Sequence, residues 1–243
     1  MNDGASNPAA KAADGTGSAT ADPRAIVLGI ILLVLCIAAM FGAAGRWDWW
    51  AAWAYLGLAI AVRAVSIAYL KRKNPVLLRV RMRIGEGTRP WDRIWLAGMR
   101  LLFLAMLVTA ALDAVRFGWS SMGIRHWLLG AALFTAGSLV STRAMAENAF
   151  FEGTVRIQDD RGHRVIDTGP YAVIRHPGYA GFLLSLLPTP LLLGSWWAFV
   201  PTGLFAVWLV LRIVLEERTL HQGLEGYTEY TSRVRYRLVP GIW

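Results

Sequence analysis

The sequence contains a single cysteine, and its histidines form no recognisable metal-binding pattern. Cys36 lies within the first long apolar run, so no disulfide can form within the chain and the thiol is expected to serve packing. The histidines are not closely spaced, and no HExxH motif or cysteine pair completes a ligand set: His126, His163, His176 and His221. We therefore expect no metal bound by the protein.

Acidic residues are also few, because 16 Asp and Glu stand against 25 Lys and Arg and leave a net charge of +9. In a soluble protein this excess would favour a nucleic-acid partner. Here 56% apolar residues, 12 Trp and a mean hydropathy of +0.42 indicate an integral membrane protein. Orientation in the bilayer and attraction to anionic lipid explain the charge better, so no nucleic-acid partner is expected.

Six apolar stretches predict an all-α, polytopic membrane protein. A tail of small polar residues over 1–23 is expected to be disordered, and it lacks the features of a cleaved signal peptide. A four-helix membrane region over 24–145 and a C-terminal region over 146–243 follow. The predicted spans are about 25–44, 51–70, 94–115, 127–145, 178–193 and 196–215. The fifth is a short hairpin helix containing Pro188 and Pro190, and the polar stretch 216–243 predicts one amphipathic helix and a coil, forming a cytosolic cap.

The distribution of basic residues predicts the orientation of these spans. With the N-terminus inside, the strongly basic loop 71–93, the polar connector 147–176 and the C-terminal tail share one side. Few loop arginines then lie on the other side: Arg46, Arg116 and Arg125. This asymmetry predicts an inner-membrane protein with both termini in the cytoplasm.

Four arginines fall inside or at the edge of the predicted spans: Arg63, Arg100, Arg143 and Arg212. In the predicted topology each occupies the cytoplasmic half of its helix. Snorkelling to the interface would explain one or two of them. Four at one level favour a polar cavity that opens to the cytoplasm, because intramembrane charges usually face one.

A polar hinge over 168–181 carries the densest group of chemically useful residues. It contains the run Arg175-His176-Pro177, after which the sequence becomes apolar. Pro177 fits the first position of a new helix, so Arg175 and His176 should lie just outside a helix N-terminus, where anionic groups are favoured. By spacing alone, a tight turn with two headgroup anchors explains the segment equally well.

The C-terminal region supplies a second group of motifs. Arg212 and Glu216 are four residues apart and should share a helix face, and Tyr227 and Tyr230 should share another. Taken alone, these pairs favour an intrahelical ion pair and two anchoring aromatic residues. The combined pattern is a GPYxxxRHPxY hinge, an apolar hairpin, an EExxL helix and a GYxxY tail. Over about residues 145–243 this pattern resembles the isoprenylcysteine carboxyl methyltransferase family and the related membrane phospholipid methyltransferases.

The resemblance implies a binding site for S-adenosylmethionine between the membrane helices and a cytosolic cap. Residues carried over as cofactor contacts are Gln158, His163, Arg164, Val165, Ile166, Tyr171, His176, Pro177, Gly178, Tyr179 and Glu216. Arg212 is carried over as the catalytic residue that faces the acceptor. Whether Glu216 or Glu217 is the equivalent acidic residue stays open, and the spacing from Arg212 favours Glu216. The role of Arg175 is unassigned.

These residues suit methyl transfer, in which the protein mainly positions donor and acceptor. Glu216 and the tyrosines could face the cationic sulfonium, while His176 and the helix start could face the cofactor's carboxylate. No strand with a glycine-rich loop offers a soluble-type cofactor site. A membrane lipid or lipid-like molecule is the expected acceptor. A carboxylate would need only orientation by Arg212, whereas an amine would need a base such as Glu216, Glu217 or His176.

Three other functions compete with a carboxyl methyltransferase. A phospholipid N-methyltransferase belongs to the same class of enzyme. An anion transporter or non-catalytic membrane protein would use the intramembrane arginines but leave the hinge and tail motifs unexplained. A membrane reductase that binds a nicotinamide cofactor could use the many basic residues, although the short Arg-His-Pro hinge fits the methyltransferases better.

Overall fold

The computed structural model describes residues 23–80 and 88–243, and within these ranges the chain is helical with no strand. The predicted tail therefore lies almost wholly outside the described residues, as does the middle of the basic loop. The α-helices are α1 Pro23–Ala44, α2 Trp50–Lys73, α3 Pro75–Val80, α4 Pro90–Ala111, α5 Ile124–Glu147, α6 Pro177–Leu186, α7 Thr189–Leu193, α8 Phe199–Gly223 and α9 Tyr227–Arg233. A π-helical turn, Leu112–Phe117, extends α4.

Five of these helices, α1, α2, α4, α5 and α8, are long and apolar enough to cross a membrane. The prediction of an all-α integral membrane protein is thus confirmed. Their outward surfaces carry large apolar side chains, with Ile60 at 70% and Leu101 at 67% exposure, as lipid-facing positions require. Inside the bundle, α1, α4, α7 and α8 meet in an apolar core that includes Phe41, Met106 and Leu192.

The fifth predicted span is a pair of short helices, α6 and α7. Proline lacks the N–H that would continue the helix, and the chain breaks between Leu186 and Thr189, at Pro188. Helix α6 packs on α5 so tightly that a Cβ at Gly137 would collide with the backbone of Ser185, and one at Gly181 with the backbone of Ser141. The number of membrane crossings remains a prediction.

A buried carboxylate joins the chain segments at the far end of this pair. Asp113 Oδ2 accepts hydrogen bonds from Ser120 Oγ at 2.6 Å, Ser195 Oγ at 2.5 Å and the Trp197 backbone N–H at 3.2 Å. Asp113 therefore ties the end of α4 to the segments that precede α5 and α8. The chain between Pro177 and Ser195 thus runs the length of the bundle.

The other end of the bundle gathers the connector, the hinge and the C-terminal tail. Two predicted boundaries there were wrong. The basic segment 71–93 is not simply a loop, because α2 continues to Lys73, α3 covers Pro75–Val80 and α4 begins at Pro90. The stretch 216–243 is not one helix, because α8 runs unbroken to Gly223 and the positive φ of Gly226 separates it from α9.

The four intramembrane arginines do not share a cavity, contrary to prediction. Arg63, Arg100 and Arg143 are exposed on the bundle surface. Arg143 Nη1 donates to the Tyr69 hydroxyl at 3.1 Å, which holds it along the helix surface. The cavity interpretation therefore does not apply to these three, and snorkelling of one or two of them to the interface stays a prediction. Only Arg212 is buried.

Candidate active site

A cavity of about 110 Å³ lies where the connector, the hinge, α8 and the tail meet. All predicted site residues except Pro177 line it. The further lining residues are Asn148, Phe150, Phe151, Glu152, Thr154, Val155, Arg156, Arg175, Leu220, Leu224, Tyr227 and Tyr230. Pro177 is buried at the first position of α6, where its fixed φ starts the helix as predicted.

The start of α6 offers fewer free backbone donors than its sequence suggested. Pro177 has no N–H, and the N–H groups of Tyr179 and Ala180 both bond to the carbonyl of His176, at 3.1 and 3.0 Å. The Gly178 N–H has no such bond to a described residue. A Cβ at Gly178 would collide with the Phe151 ring, so glycine lets the connector close against the helix start.

Arg212 does not pair with Glu216, although their spacing taken alone favoured an intrahelical ion pair. Its Nε donates to Asp92 Oδ1 at 2.9 Å, and its Nη2 donates to Asp92 Oδ2 at 3.3 Å and to the Gly153 carbonyl at 2.8 Å. The guanidinium also lies over the Trp95 ring at 4.3 Å. Asp92 is a long-range partner on α4, and a buried carboxylate satisfies a buried guanidinium better than a helical neighbour that faces the cavity.

The two adjacent glutamates have different surroundings. Glu216 lines the cavity and accepts a hydrogen bond from the Tyr179 hydroxyl at 2.5 Å, and it forms no ion pair with a described residue. Glu217 is buried and accepts from Arg175 Nε at 2.6 Å, Arg237 Nε at 2.7 Å and His176 Nε2 at 3.1 Å. Residues one apart on a helix project in different directions. Glu216 is therefore the carboxylate available to a ligand.

Arg175 attaches the hinge to the tail. Besides Glu217, its guanidinium bonds to the carbonyls of Val234 and Arg235 at 2.9 and 2.8 Å. The backbone N–H of Arg175 bonds to the Tyr236 carbonyl, and that of His176 to the Arg237 carbonyl, both at 2.9 Å. The residue that sequence reasoning left unassigned thus holds the C-terminal segment against the cavity.

Charged side chains also fix the connector. Arg156 donates to Glu152 at 2.9 Å and to Asp160 at 2.6 Å, and Arg161 donates to Gln158 at 2.5 Å. The pKa of Asp160 is lowered by its hydrogen bond from Arg156, which keeps this carboxylate ionised. The connector is therefore a structured wall of the cavity.

His163 stands on this wall as a neutral imidazole. Its Nδ1 accepts the Gln158 backbone N–H at 3.3 Å, and its ring packs on Phe150 with centroids 4.7 Å apart. Burial lowers the pKa of His163, since desolvation disfavours the cation. The ring therefore carries its proton on Nε2 near neutral pH.

Sequence reasoning missed Asp92 and the two tail tyrosines as site residues. Tyr230 donates to the Tyr171 carbonyl at 2.8 Å, whereas the buried Tyr227 hydroxyl has no hydrogen-bond partner among the described residues. Burial raises the pKa of Tyr227 above its ordinary value, so the hydroxyl keeps its proton. The GYxxY spacing was a signal for the tyrosines. No local signal marked Asp92, which lies 120 residues from its partner Arg212 in the sequence.

Comparison with known proteins finds similarity in this region. The family model described as "Isoprenylcysteine carboxyl methyltransferase (ICMT) family" matches residues 128–222, from α5 to the end of α8. The match begins earlier than the predicted resemblance and stops before the tail.

Similar curated proteins carry the corresponding names. Protein-S-isoprenylcysteine O-methyltransferase B of Arabidopsis thaliana is 27% identical over 121 residues, covering 45% of this chain and 59% of that protein. Protein-S-isoprenylcysteine O-methyltransferase of Schizosaccharomyces pombe is 33% identical over 104 residues, covering 40% and 43%. A probable enzyme of this name from Oryza sativa subsp. indica is 37% identical over 92 residues, covering 35% and 45%.

The chain spans about half the length of the curated relatives that it matches. The matched residues include the connector, the hinge and α8, which together form most of the cavity wall. In this region the chain is similar to the isoprenylcysteine carboxyl methyltransferase family.

Proposed function

We propose that the protein transfers a methyl group from S-adenosylmethionine to the carboxylate of a lipid-like acceptor in the membrane. The similar proteins are named O-methyltransferases of S-isoprenylcysteine, and an O-methyl product is what a carboxylate acceptor gives. One observation carries the proposal in this chain: Glu216 is a cavity carboxylate with a hydrogen bond from Tyr179 but no cationic partner among the described residues.

The polar atoms of the cavity fit a cationic cofactor. An unpaired carboxylate attracts a sulfonium or an ammonium group, and the rings of Tyr179 and Tyr227 are suitable neighbours for a cation. The Tyr227 hydroxyl also needs a partner, because a buried polar group without one carries a free-energy cost. We assign the binding of S-adenosylmethionine to these residues and to the predicted contacts of the connector and hinge.

When bound, S-adenosylmethionine supplies a methyl group on a sulfonium, and the acceptor oxygen gains this methyl as the S–CH₃ bond breaks with its electron pair staying on sulfur. The acceptor carboxylate is already an anion, so no proton has to leave and no general base is required. The task of the protein is to hold the carboxylate in line, and Arg212 is the buried cation placed to do so.

An amine acceptor fits this cavity less well. It would have to lose a proton to a base, and two of the three candidate bases are already engaged. Glu217 receives two arginines and His176, and His176 uses its Nε2 in the same cluster. Glu216 alone would have to serve both as base and as partner of the cationic cofactor.

The proposed setting is the inner membrane, with the cavity and both termini on the cytoplasmic side. The connector, hinge and tail meet at one end of the bundle, as that topology requires. Positive charge concentrated near this end supports its cytoplasmic placement. A lipid-like acceptor would then reach the cavity from the bilayer.

The decisive experiment measures cofactor binding and methyl transfer with Glu216→Ala and a matched control, Glu229→Ala, whose carboxylate is exposed on α9. Glu216→Ala should abolish binding of S-adenosylmethionine while protein yield stays near normal, and the control should bind as the parent does. Radiolabelled methyl should enter an S-isoprenylcysteine with a free carboxylate and be released by alkali as methanol. Alkali-stable label would indicate N-methylation, and unchanged binding in Glu216→Ala would refute the placement of Glu216.

A further inference from the structure

Asp92 is a fully buried carboxylate that no sequence motif singles out. It lies in the first turn of α4, at 0% exposure, and its Oδ2 also accepts the Val155 backbone N–H at 2.8 Å. It therefore joins three parts of the cavity wall: α4, the connector and, through Arg212, α8. A buried ion pair of this kind costs desolvation, which suggests a use beyond stability.

The pair leaves Arg212 with one free nitrogen. Asp92 occupies the Nε–Nη2 edge of the guanidinium, one of its two edges that can bind a carboxylate through two parallel hydrogen bonds, and the Gly153 carbonyl takes the other N–H of Nη2. Nη1 makes no hydrogen bond to any residue in 23–80 or 88–243. The Trp95 ring at 4.3 Å and the Tyr179 ring at 5.5 Å hold the guanidinium in place. Arg212 can therefore offer an acceptor the two N–H groups of one nitrogen, Nη1.

We propose that Asp92 is a positioning residue that restricts Arg212 to a one-point contact with the acceptor carboxylate. This inference rests on the proposed function. A two-point contact would hydrogen-bond both acceptor oxygens and stabilise the charge that must attack. A one-point contact through Nη1 holds one oxygen and leaves the other free to form the new O–CH₃ bond. Asp92 thereby favours the transition state over tight binding of the ground state.

Asp92→Asn tests the inference, because the amide keeps the size of the side chain but has no charge and only one acceptor oxygen, so it cannot form the two-oxygen ion pair with Arg212. The guanidinium is then held less firmly and can turn so that two of its nitrogens bind the acceptor carboxylate. With an N-acetylated S-isoprenylcysteine as acceptor, we expect kcat to fall about tenfold or more, while KM for the acceptor stays the same or decreases. The affinity for S-adenosylmethionine should be unchanged, since Asp92 does not line the cavity.

A double-mutant cycle separates positioning from a purely structural role. If Asp92 acts through Arg212, then Asp92→Asn should have no further effect on kcat in an Arg212→Gln background. This double variant also removes both buried charges together, so it should fold even if the single variants unfold at lower temperature. Independent, multiplying effects of the two substitutions would overturn the proposal.

Asp92→Glu supplies a second test that keeps the charge. The longer carboxylate should still occupy the fork and restore most of the activity that Asp92→Asn loses. If the parent protein neither transfers methyl groups nor binds S-adenosylmethionine, the proposed function itself is refuted. If the parent protein is active but Asp92→Asn leaves kcat unchanged, or only raises KM for the acceptor, then the role of Asp92 alone is rejected.

Discussion

Glu217 is expected to determine the stability of the cavity end of the protein more than any other single carboxylate there. It is 4% exposed and receives Arg175, Arg237 and His176, which belong to the hinge and the tail. Removing one member of a buried ion pair leaves the other charges uncompensated, at a cost of about 3–5 kcal/mol. Glu217→Gln keeps one acceptor oxygen, so we expect the lower end, about 3 kcal/mol.

Thermal unfolding of the purified protein in detergent measures this effect. A loss of about 3 kcal/mol should lower Tm by roughly 6–12 °C for a chain of this size, compared at one scan rate. Glu216→Gln is the matched control, because it makes the same chemical change one residue earlier, where the only hydrogen-bond partner of the carboxylate among the described residues is a tyrosine hydroxyl. Equal Tm values for the two variants would refute the idea that Glu217 holds hinge, helix and tail together.

Two further predictions concern the connector and the hinge. Burial lowers the pKa of His163 in the folded protein below its ordinary value near 6.5. As pH drops below about 6.5, the histidine is therefore protonated more readily in the unfolded chain than in the folded one. The free energy of unfolding should fall over this pH range. His163→Gln should remove this component when Tm is followed between about pH 5 and about pH 7.5, and identical pH profiles would contradict it. Gly178→Ala should reduce both Tm and cofactor affinity, because the new methyl group meets the Phe151 ring. Gly203→Ala is the control, because a methyl group there meets nothing within 4 Å. Equal Tm and equal cofactor affinity of the two variants would exclude the steric argument.

Local sequence signals predicted the helices and most of the cavity wall. Apolar runs predicted the ends of the long helices to within about four residues, except the end of α8, and Pro177 predicted the start of α6, because both signals depend on neighbouring residues only. The hinge and connector motifs likewise identified residues that do meet around one cavity.

Long-range pairing was beyond the reach of the sequence. Spacing suggested Glu216 as the partner of Arg212, but spacing says nothing about a carboxylate on another helix, and Asp92 is the partner. The same applies to the exposed intramembrane arginines: a hydropathy profile gives depth in the membrane but not the direction of a side chain around its helix. Glu216 and Glu217 could be separated only once the partners from the hinge and tail were in place.

The close contact between α5 and α6 has a consequence for the order of biosynthesis. The α6–α7 segment is short, broken at Pro188, and pressed against α5 at Gly137 and Gly181 with no room for side chains. Such a segment gains little by entering the bilayer alone, because a stable crossing needs about 20 apolar residues. It therefore needs α5 to be folded and inserted already, so that it can pack against this helix. During synthesis, α5 must therefore be inserted before the hinge can adopt its form, and the cavity can close only after α8 has been delivered to the membrane.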